Sequence, residues 1–248
     1  MRIFLTLLFL ALPAASQSQE PGCYELRTYF AAEGKLEALH SRFRDHTVSL
    51  FEKHGMTNFF YWVPLENPDN RLIYLLGYPD KAARETSWKT FLEDPEWQSV
   101  KADSEKDGKL VAKVESLFLT PTDYSPKKVE LSREGPRLFE MRRYTTLPGK
   151  LPALDGRFRD HTVALFAKHG MTNLPYFHLD EGQEGAGTTL LYFLAHDSAG
   201  SQAASFDAFR SDPEWIAARD ASEKDGKLLI DKGVVSTLLN PTDYSPVK

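Results

Sequence analysis

Two short stretches of this sequence place an acid, a guanidinium and a phenol at alternate positions. They are Glu25-Leu-Arg-Thr-Tyr29 and Glu140-Met-Arg-Arg-Tyr144. Alternate residues of a β-strand share one face, so the three polar side chains of each stretch are expected to project together. An arginine in such a group can recognise a carboxylate or phosphate, and a tyrosine can donate a hydrogen bond. The resulting candidate ligand-binding residues are Glu25, Arg27, Tyr29, Glu140, Arg142 and Tyr144.

Four more polar residues are predicted to join these two groups. Tyr74 and Tyr192 occupy corresponding places on a predicted third strand, and Asn58 and Asn173 begin a predicted second strand. Buried polar groups of this kind are the usual means by which a protein orients a small ligand. We therefore include these four residues in the candidate ligand-binding set.

The elements that position these residues occur twice in the chain. Residues 42–58 (RFRDHTVSLFEKHGMTN) recur at 157–173 with two changes, and the motif Pro-Thr-Asp-Tyr-Ser-Pro stands at both 121–126 and 241–246. A period above about 100 residues indicates tandem domains rather than a solenoid. The predicted domains are 22–126 and 137–248, with 127–136 as the linker.

Each half is predicted to have the order β-α-β-β-α-β. In the first half the predicted strands are 24–30, 56–63, 72–78 and 111–119, and the predicted helices are 36–54, 84–93 and a piece from 95 towards 108. Asp94 followed by Pro95 is a typical helix start, with the aspartate as N-cap. These lengths predict an α+β fold of two tandem ferredoxin-like domains, each a four-stranded antiparallel sheet with helices on one face. Two such halves can cover each other sheet to sheet and form a barrel.

The orientation of the first strand decides what the Glu-Arg-Tyr groups can do. We predict that the alternate apolar residues pack under the helices, so that the Glu-Arg-Tyr face points into the barrel. Charged groups inside a closed barrel must pair, meet water or bind something. One interpretation is a polar floor for a ligand cavity. The other is a Glu-Arg ion pair that joins the two halves in a barrel packed shut.

The histidines of the repeated motif are weaker candidates. His46 and His161 share a predicted helical stripe with apolar residues such as Leu39 and Leu50, so we expect them to face the sheet. There they would be core histidines with hydrogen-bonded ring nitrogens, or catalytic groups that titrate near neutral pH. His54 precedes Gly55 in a helix C-terminal pattern. No two histidines have the spacing of a metal-binding motif, so we predict no metal site.

Composition and the N-terminus limit the compartment and the partners. Residues 1–18 combine a positive start, an apolar run and small residues, which predicts a signal peptide cleaved within residues 15–20 and a periplasmic or secreted protein. The single cysteine rules out an internal disulfide, and no other segment is apolar enough to span a membrane. A net charge of −5 with mixed signs argues against nucleic acid as a partner.

Taken together, the motifs ELRTYF, LFEKHGM, NRLIYLLGYPD and FLEDPEW resemble the NIPSNAP family across both halves. The resemblance implies the dimeric α/β-barrel form of the ferredoxin-like fold, here as a pseudo-dimer within one chain. It is weaker in the second half, where Tyr78-Pro-Asp becomes His196-Asp-Ser and Trp88 becomes Phe206. Proteins with the same kind of barrel include heme-degrading and quinone-forming monooxygenases.

Three functions follow as hypotheses. The first is a barrel that binds a small ligand, an anion being one option, without a cofactor. The second is a cofactor-poor or heme-dependent oxygenase, with His46 or Tyr29 as acid, base or ligand, by analogy with the fold. The third is a structural or interaction module with a closed barrel. Homo-oligomerisation through edge strands is left open.

Overall fold

The computed structural model describes residues 21–127 and 137–248. The predicted signal peptide (1–18) and all of the predicted linker except Lys127 lie outside these residues. The strands are β1 (Cys23–Ala31), β2 (Thr57–Pro64), β3 (Arg71–Tyr78), β4 (Val111–Pro121), β5 (Leu138–Thr146), β6 (Thr172–Leu179), β7 (Thr189–His196) and β8 (Leu229–Pro241). The helices are α1 (Leu36–Arg42), α2 (Val48–Lys53), α3 (Lys81–Glu93), α4 (Pro95–Ser104), α5 (Leu151–Arg157), α6 (Val163–Lys168), α7 (Ala199–Ser211) and α8 (Pro213–Ser222).

The eight strands close into one antiparallel barrel in the order β1-β3-β2-β8-β5-β7-β6-β4. Each half therefore contributes a sheet of four neighbouring strands, and the two sheets meet at the β2–β8 and β4–β6 junctions. Each junction is short: Trp62–Pro64 pair with Leu239–Pro241, and Leu119–Pro121 pair with Phe177–Leu179. The predicted α+β barrel, closed within one chain, is confirmed.

The inside of the barrel is apolar. Leu26, Phe60, Ile73, Phe139 and Phe193 are among the buried residues that form one cluster drawn from both halves. The Trp62 ring stacks on the Phe60 ring at 4.6 Å and on the Phe193 ring at 5.0 Å between centroids. Aromatic contacts between the two sheets therefore hold the halves together.

The predicted orientation of the first strand is wrong. Leu26 joins the apolar cluster inside the barrel, whereas Glu25 and Arg27 contact Arg84 or Trp88 of α3, on the helix side of the sheet. The alternation in β1 led to the wrong orientation because both faces of each sheet are buried: helices cover one face and the opposite sheet covers the other. Alternation separates two faces of a strand, but it does not say which face meets the helices. The polar face is tolerated under the helices because α3 supplies its partners.

The predicted position of His46 and His161 is also wrong, because both side chains are exposed. The segments Phe43–Thr47 and Phe158–Thr162 are π-helical and join α1 to α2 and α5 to α6. A π-helical turn holds more residues than an α-helical turn, so the buried position after Phe43 is Thr47 and not His46. The assumed 3.6-residue period therefore fails at this point.

The repeated motifs hold the two halves to each other. Arg44 of the first half donates to Asp243 in the C-terminal Pro-Thr-Asp-Tyr-Ser-Pro motif, with Nη2 at 3.0 Å from Oδ1. Arg159 of the second half donates in the same way to Asp123 at 2.7 Å. The ring of Tyr244 packs over Phe43 of the opposite half. Segment 42–58 therefore contacts the other half's terminal motif through Phe43 and Arg44, and segment 157–173 does so through Phe158 and Arg159.

Candidate functional site

The first half buries one carboxylate between two arginines. Glu25 on β1 is fully buried. The Arg27 guanidinium lies 2.5 Å from its Oε1, and Arg84 on α3 donates from Nη2 at 2.9 Å and from Nε to Oε2 at 3.0 Å. Buried charges are stable only when paired and hydrogen-bonded, and both conditions are met here. The Glu-Arg pair thus lies within one half and does not cross the barrel.

Neutral donors complete the shell around this carboxylate. Tyr78 donates at 3.1 Å, Trp88 donates from Nε1 at 3.2 Å, and Ser116 on β4 donates at 2.5 Å. Burial, and then the charge of Glu25, raise the pKa of Tyr78, so its hydroxyl remains a donor. We call Glu25, Arg27, Tyr78, Arg84, Trp88 and Ser116 the Glu25 cluster.

Two of the predicted tyrosines support the Arg27 side chain. Arg27 Nε donates to the Tyr74 hydroxyl at 2.9 Å, and its guanidinium lies 5.5 Å from the Tyr29 ring and 4.2 Å from the Trp88 ring. Aromatic faces stabilise a guanidinium through cation–π attraction. The structure therefore brings Glu25, Arg27, Tyr29 and Tyr74 together, as the sequence predicted, but under the helices.

The corresponding carboxylate of the second half has different partners. Arg142 forms an ion pair with Glu140, His196 Nε2 lies 2.9 Å from Oε2, Gln202 donates at 3.2 Å and Ser236 at 2.6 Å. We call these five residues the Glu140 cluster. Arg142 Nε donates to Tyr192 at 2.9 Å and Nη2 to Tyr144 at 3.2 Å, so the predicted Glu-Arg-Tyr-Tyr group recurs.

Both carboxylates remain charged well below neutral pH. Burial alone would raise the pKa of Glu25, but hydrogen bonds from Arg84, the charge of Arg27 and the Ser116 hydroxyl lower it to about 2. Burial opposes the same shift in Glu140, where His196, Arg142 and Ser236 lower the pKa to about 2. A general base works best with a pKa near the operating pH, so these carboxylates are suited to holding neighbours in place.

The two predicted asparagines lie away from both clusters. Asn58 donates to the Val48 carbonyl at 3.1 Å and accepts from the Tyr61 hydroxyl. Asn173 makes the same bonds, to the Val163 carbonyl at 2.9 Å and from Tyr176 at 2.5 Å. Each asparagine therefore ties α2 or α6 to the following strand, which is a structural role.

The histidines that end α2 and α6 also tie helices together. Gly55 has a φ of +77°, as the predicted helix C-terminus requires. His54 Nε2 lies 2.7 Å from the Asp94 carboxylate, and Asp94 caps α4 by accepting from the Glu96 N–H at 2.8 Å. Hydrogen bonds from Lys53 and His54 lower the pKa of Asp94. His169 and Asp212 repeat the contact at 2.7 Å.

A cleft opens beside the Glu140 cluster. Beyond their short pairing, β2 and β8 separate, and a space of about 440 Å³ lies between them. We call it the β2–β8 cleft; its lining residues are Leu65, Glu66, Arg71, Gln202, Ser236, Thr237 and Leu238. Gln202 and Ser236 are both hydrogen-bonded to Glu140, so the buried cluster forms part of the wall. This volume is in the range that holds a small molecule.

The equivalent place in the first half is filled by the chain itself. Gln183, in the loop between β6 and β7, accepts from the Phe118 N–H at 2.8 Å and donates to the Phe118 carbonyl at 2.7 Å. Asp180 at the start of this loop pairs with Lys81 at 2.9 Å and accepts from Thr120 at 2.6 Å. The two halves therefore differ where a ligand could enter.

Sequence reasoning missed the residues of the cleft. Gln202 and Ser236 are single polar residues with no motif of their own, and Arg71 stands just before the predicted strand 72–78. The signal that could have found them is the loop from Asp180 to Thr188, which is longer than the matching turn from Glu66 to Asn70. A loop that is longer in one half can cover a place that stays open in the other.

Comparison with protein families shows to which family the chain belongs. The NIPSNAP family model matches residues 24–126 and again residues 139–246. The chain belongs to the NIPSNAP family. The resemblance inferred from its motifs is confirmed in both halves. A comparison with curated proteins found no match.

Several solved structures are similar to this NIPSNAP protein. An anthrone oxidase-like protein is similar with a TM-score of 0.57 at 11% identity, over 91% of this chain and 92% of its own. A putative monooxygenase from Fusobacterium nucleatum has a TM-score of 0.55 at 12% identity, over 88% and 91%. An Agrobacterium tumefaciens NIPSNAP family protein is 24% identical over 43% of this chain and 98% of its own, with a TM-score of 0.39. For the first two proteins, identities of 11% and 12% show a shared fold alone.

Within residues 21–127 and 137–248 of this NIPSNAP protein, no group of three or more histidine, cysteine, aspartate or glutamate side chains could hold a metal ion. In the same residues no helix is long and apolar enough to cross a membrane.

Proposed function

We propose that this NIPSNAP protein binds one small polar molecule in the β2–β8 cleft. The observation that carries the proposal is the difference between the halves: the cleft is open beside Glu140, whereas Gln183 fills the same place beside Glu25. The wall beside the carboxylate differs as well, because Gln202 stands in the open cleft where the first half has Arg84. The site therefore lies at the barrel junction and outside the apolar barrel interior.

Charge favours a polar ligand without net charge over an anionic ligand, which was one option from the sequence. The Arg142 guanidinium, which was expected to bind the anion, is already paired with Glu140 and Tyr192. The cleft itself offers one cation, Arg71, and one anion, Glu66. An anionic ligand would be attracted by Arg71 and repelled by Glu66. In this proposal binding requires no heme or other cofactor.

Catalysis is not part of the proposal. His46 and His161 were the catalytic candidates, and both side chains are exposed and line open grooves beside α4 and α8, respectively. Tyr29 supports the Arg27 guanidinium. The oxygenase hypothesis then rests on likeness of fold, which does not transfer a reaction.

The binding test compares the wild-type chain with two substitutions of one residue. Ser236→Phe fills the cleft, and Ser236→Ala is the matched control because it removes the same hydrogen bond to Glu140 without filling the space. Native mass spectrometry and a screen of small polar compounds would measure ligands bound to each. We expect wild type and Ser236→Ala to bind, and Ser236→Phe to bind at least about tenfold more weakly. Binding that survives Ser236→Phe, or a screen with no ligand, would contradict the proposal.

We also propose that each half is a ferredoxin-like unit and that the chain is exported. The strand order β4-β1-β3-β2, repeated as β8-β5-β7-β6, supports the first statement. The signal-peptide pattern of residues 1–18 supports the second. N-terminal sequencing of the protein from its native host tests export, since a mature chain that still begins at Met1 would contradict it.

A further inference from the structure

In the first half, the strand edge at Phe118 already holds a polar group, which is the side chain of Gln183. The Gln183 side chain accepts from the Phe118 N–H at 2.8 Å and donates to the Phe118 carbonyl at 2.7 Å. Both contacts come from one planar carboxamide, which carries an acceptor beside a donor. The strand edge at Phe118 therefore binds a carboxamide through its backbone.

Leu238 stands at the same position in the second half. It is aligned with Glu140 across β5 and β8, as Phe118 is aligned with Glu25 across β1 and β4. The Leu238 carbonyl accepts from the Leu65 N–H at 2.8 Å, just as the Phe118 carbonyl accepts from the Asp180 N–H at 3.0 Å. A carbonyl has two lone pairs, so Leu238 can accept a second hydrogen bond in the cleft, as Phe118 does from Gln183.

The side walls of the cleft suit the same group. Arg71 lines the cleft, and its Nε is in ion-pair contact with Asp69 Oδ2 at 3.9 Å without a hydrogen bond. The remaining N–H groups of this guanidinium can donate to a carbonyl oxygen in the cleft. A carboxylate would instead meet the Leu238 carbonyl and lie in the same cleft as the Glu66 carboxylate. The cleft therefore favours a carboxamide over a carboxylate of the same shape.

We infer that the β2–β8 cleft binds the carboxamide end of a small neutral molecule, as the first half binds the side chain of Gln183. The inference deepens the proposed function and rests on it. The ligand oxygen would accept from the Leu238 N–H and its NH2 group would donate to the Leu238 carbonyl. Leu65 would contact the apolar remainder of the molecule.

The test titrates the isotopically labelled mature chain with benzamide and, as the matched anion, with benzoate. Amide chemical shifts of Leu238 and Phe118 report the two places separately. In wild type we expect benzamide to change the amide chemical shift of Leu238 but not that of Phe118, with one benzamide bound per chain. Benzoate is expected to bind at least about tenfold more weakly. Gln183→Ala frees the Phe118 edge, so benzamide should then shift both amides with a stoichiometry of two.

The outcomes separate this inference from the proposed function. If screened compounds bind in the cleft and are blocked by Ser236→Phe, but benzamide does not shift Leu238, the proposed function stands and the inference is overturned. Equal binding of benzoate, or a Gln183→Ala variant that still takes one benzamide, overturns it as well. If no compound binds the cleft at all, both fail.

Discussion

At the scale of single residues, the two halves hold the same buried carboxylate in two ways. Glu25 has two arginines, whereas Glu140 has Arg142, with His196 and Gln202 in the places of Tyr78 and Arg84. The first set has one arginine more than the second, because Gln202 carries no charge where Arg84 carries one. Both sets satisfy the buried oxygens, so the fold tolerates the exchange.

These carboxylates should make folding sensitive to acid. The pKa of each is lowered from 4.5 to about 2 in the folded protein. Because the folded-state pKa is lowered, the carboxylate stabilises the folded protein fully above about pH 4.5. This stabilisation is lost as the pH falls from about 4.5 towards 2. Each group should contribute on the order of 3 kcal/mol to the free energy of unfolding at neutral pH.

Urea unfolding at pH 7, 4 and 3 measures this contribution. Glu25→Gln and Glu140→Gln should each be less stable than wild type at pH 7 and should lose less stability on acidification. If either variant shows the same fall in unfolding free energy from pH 7 to pH 3 as wild type, that carboxylate does not have the lowered pKa.

At the scale of secondary-structure elements, backbone conformation sets where the helices end. Gly55 and Gly170 both have a φ of +77°, in the left-handed region that follows a helix and favours glycine. The π-helical segments are the other special feature, since they turn His46 outward and Thr47 inward. Together they fix which face of α1 and α2 meets the sheet.

Glycine substitutions should therefore have opposite effects at different places. Gly55→Ala and Gly170→Ala force a side chain into the left-handed region and should each lower the free energy of unfolding by about 1 kcal/mol. Gly156 lies within α5, has no positive φ and has no neighbouring atom within 4 Å of an added Cβ. Gly156→Ala is the matched control and should raise stability by about 0.5–1 kcal/mol. Thermal and urea unfolding would measure all three, and a stabilised Gly55→Ala would refute the strain argument.

At the scale of the whole molecule, the two halves share one closed barrel and are expected to unfold together. The β2–β8 and β4–β6 junctions close the barrel, and each terminal Pro-Thr-Asp-Tyr-Ser-Pro motif packs on the opposite half. Tyr244 shows this best, because its hydroxyl lies 2.8 Å from His40 Nδ1 and its ring lies 5.4 Å from that of Tyr61. Contacts of this kind couple the unfolding of one half to the other.

Calorimetry of the intact chain tests the coupling. Tyr244→Ala removes a half-buried aromatic ring and should lower the free energy of unfolding by about 2–3 kcal/mol, while a single transition is retained. Tyr124→Ala in the other motif is the matched variant and should behave alike. Two separated transitions in either variant would show that the halves unfold independently.

The sequence by itself determined the duplication, the α+β class, the barrel, the family and the Glu-Arg-Tyr groups. The family was inferred from motifs that resemble it, and the other features from alternation, helical spacing, caps at Asp94 and Gly55, and a long repeat. The direction of the β1 polar face, the outward turn of His46 and the cleft beside Ser236 were decided only by the tertiary structure. Each depends on contacts between segments far apart in the chain, namely α3 with β1, the π-helical turn with the sheet, and Gln183 with Phe118. No local pattern records which of two buried faces meets the helices, or which loop fills a space.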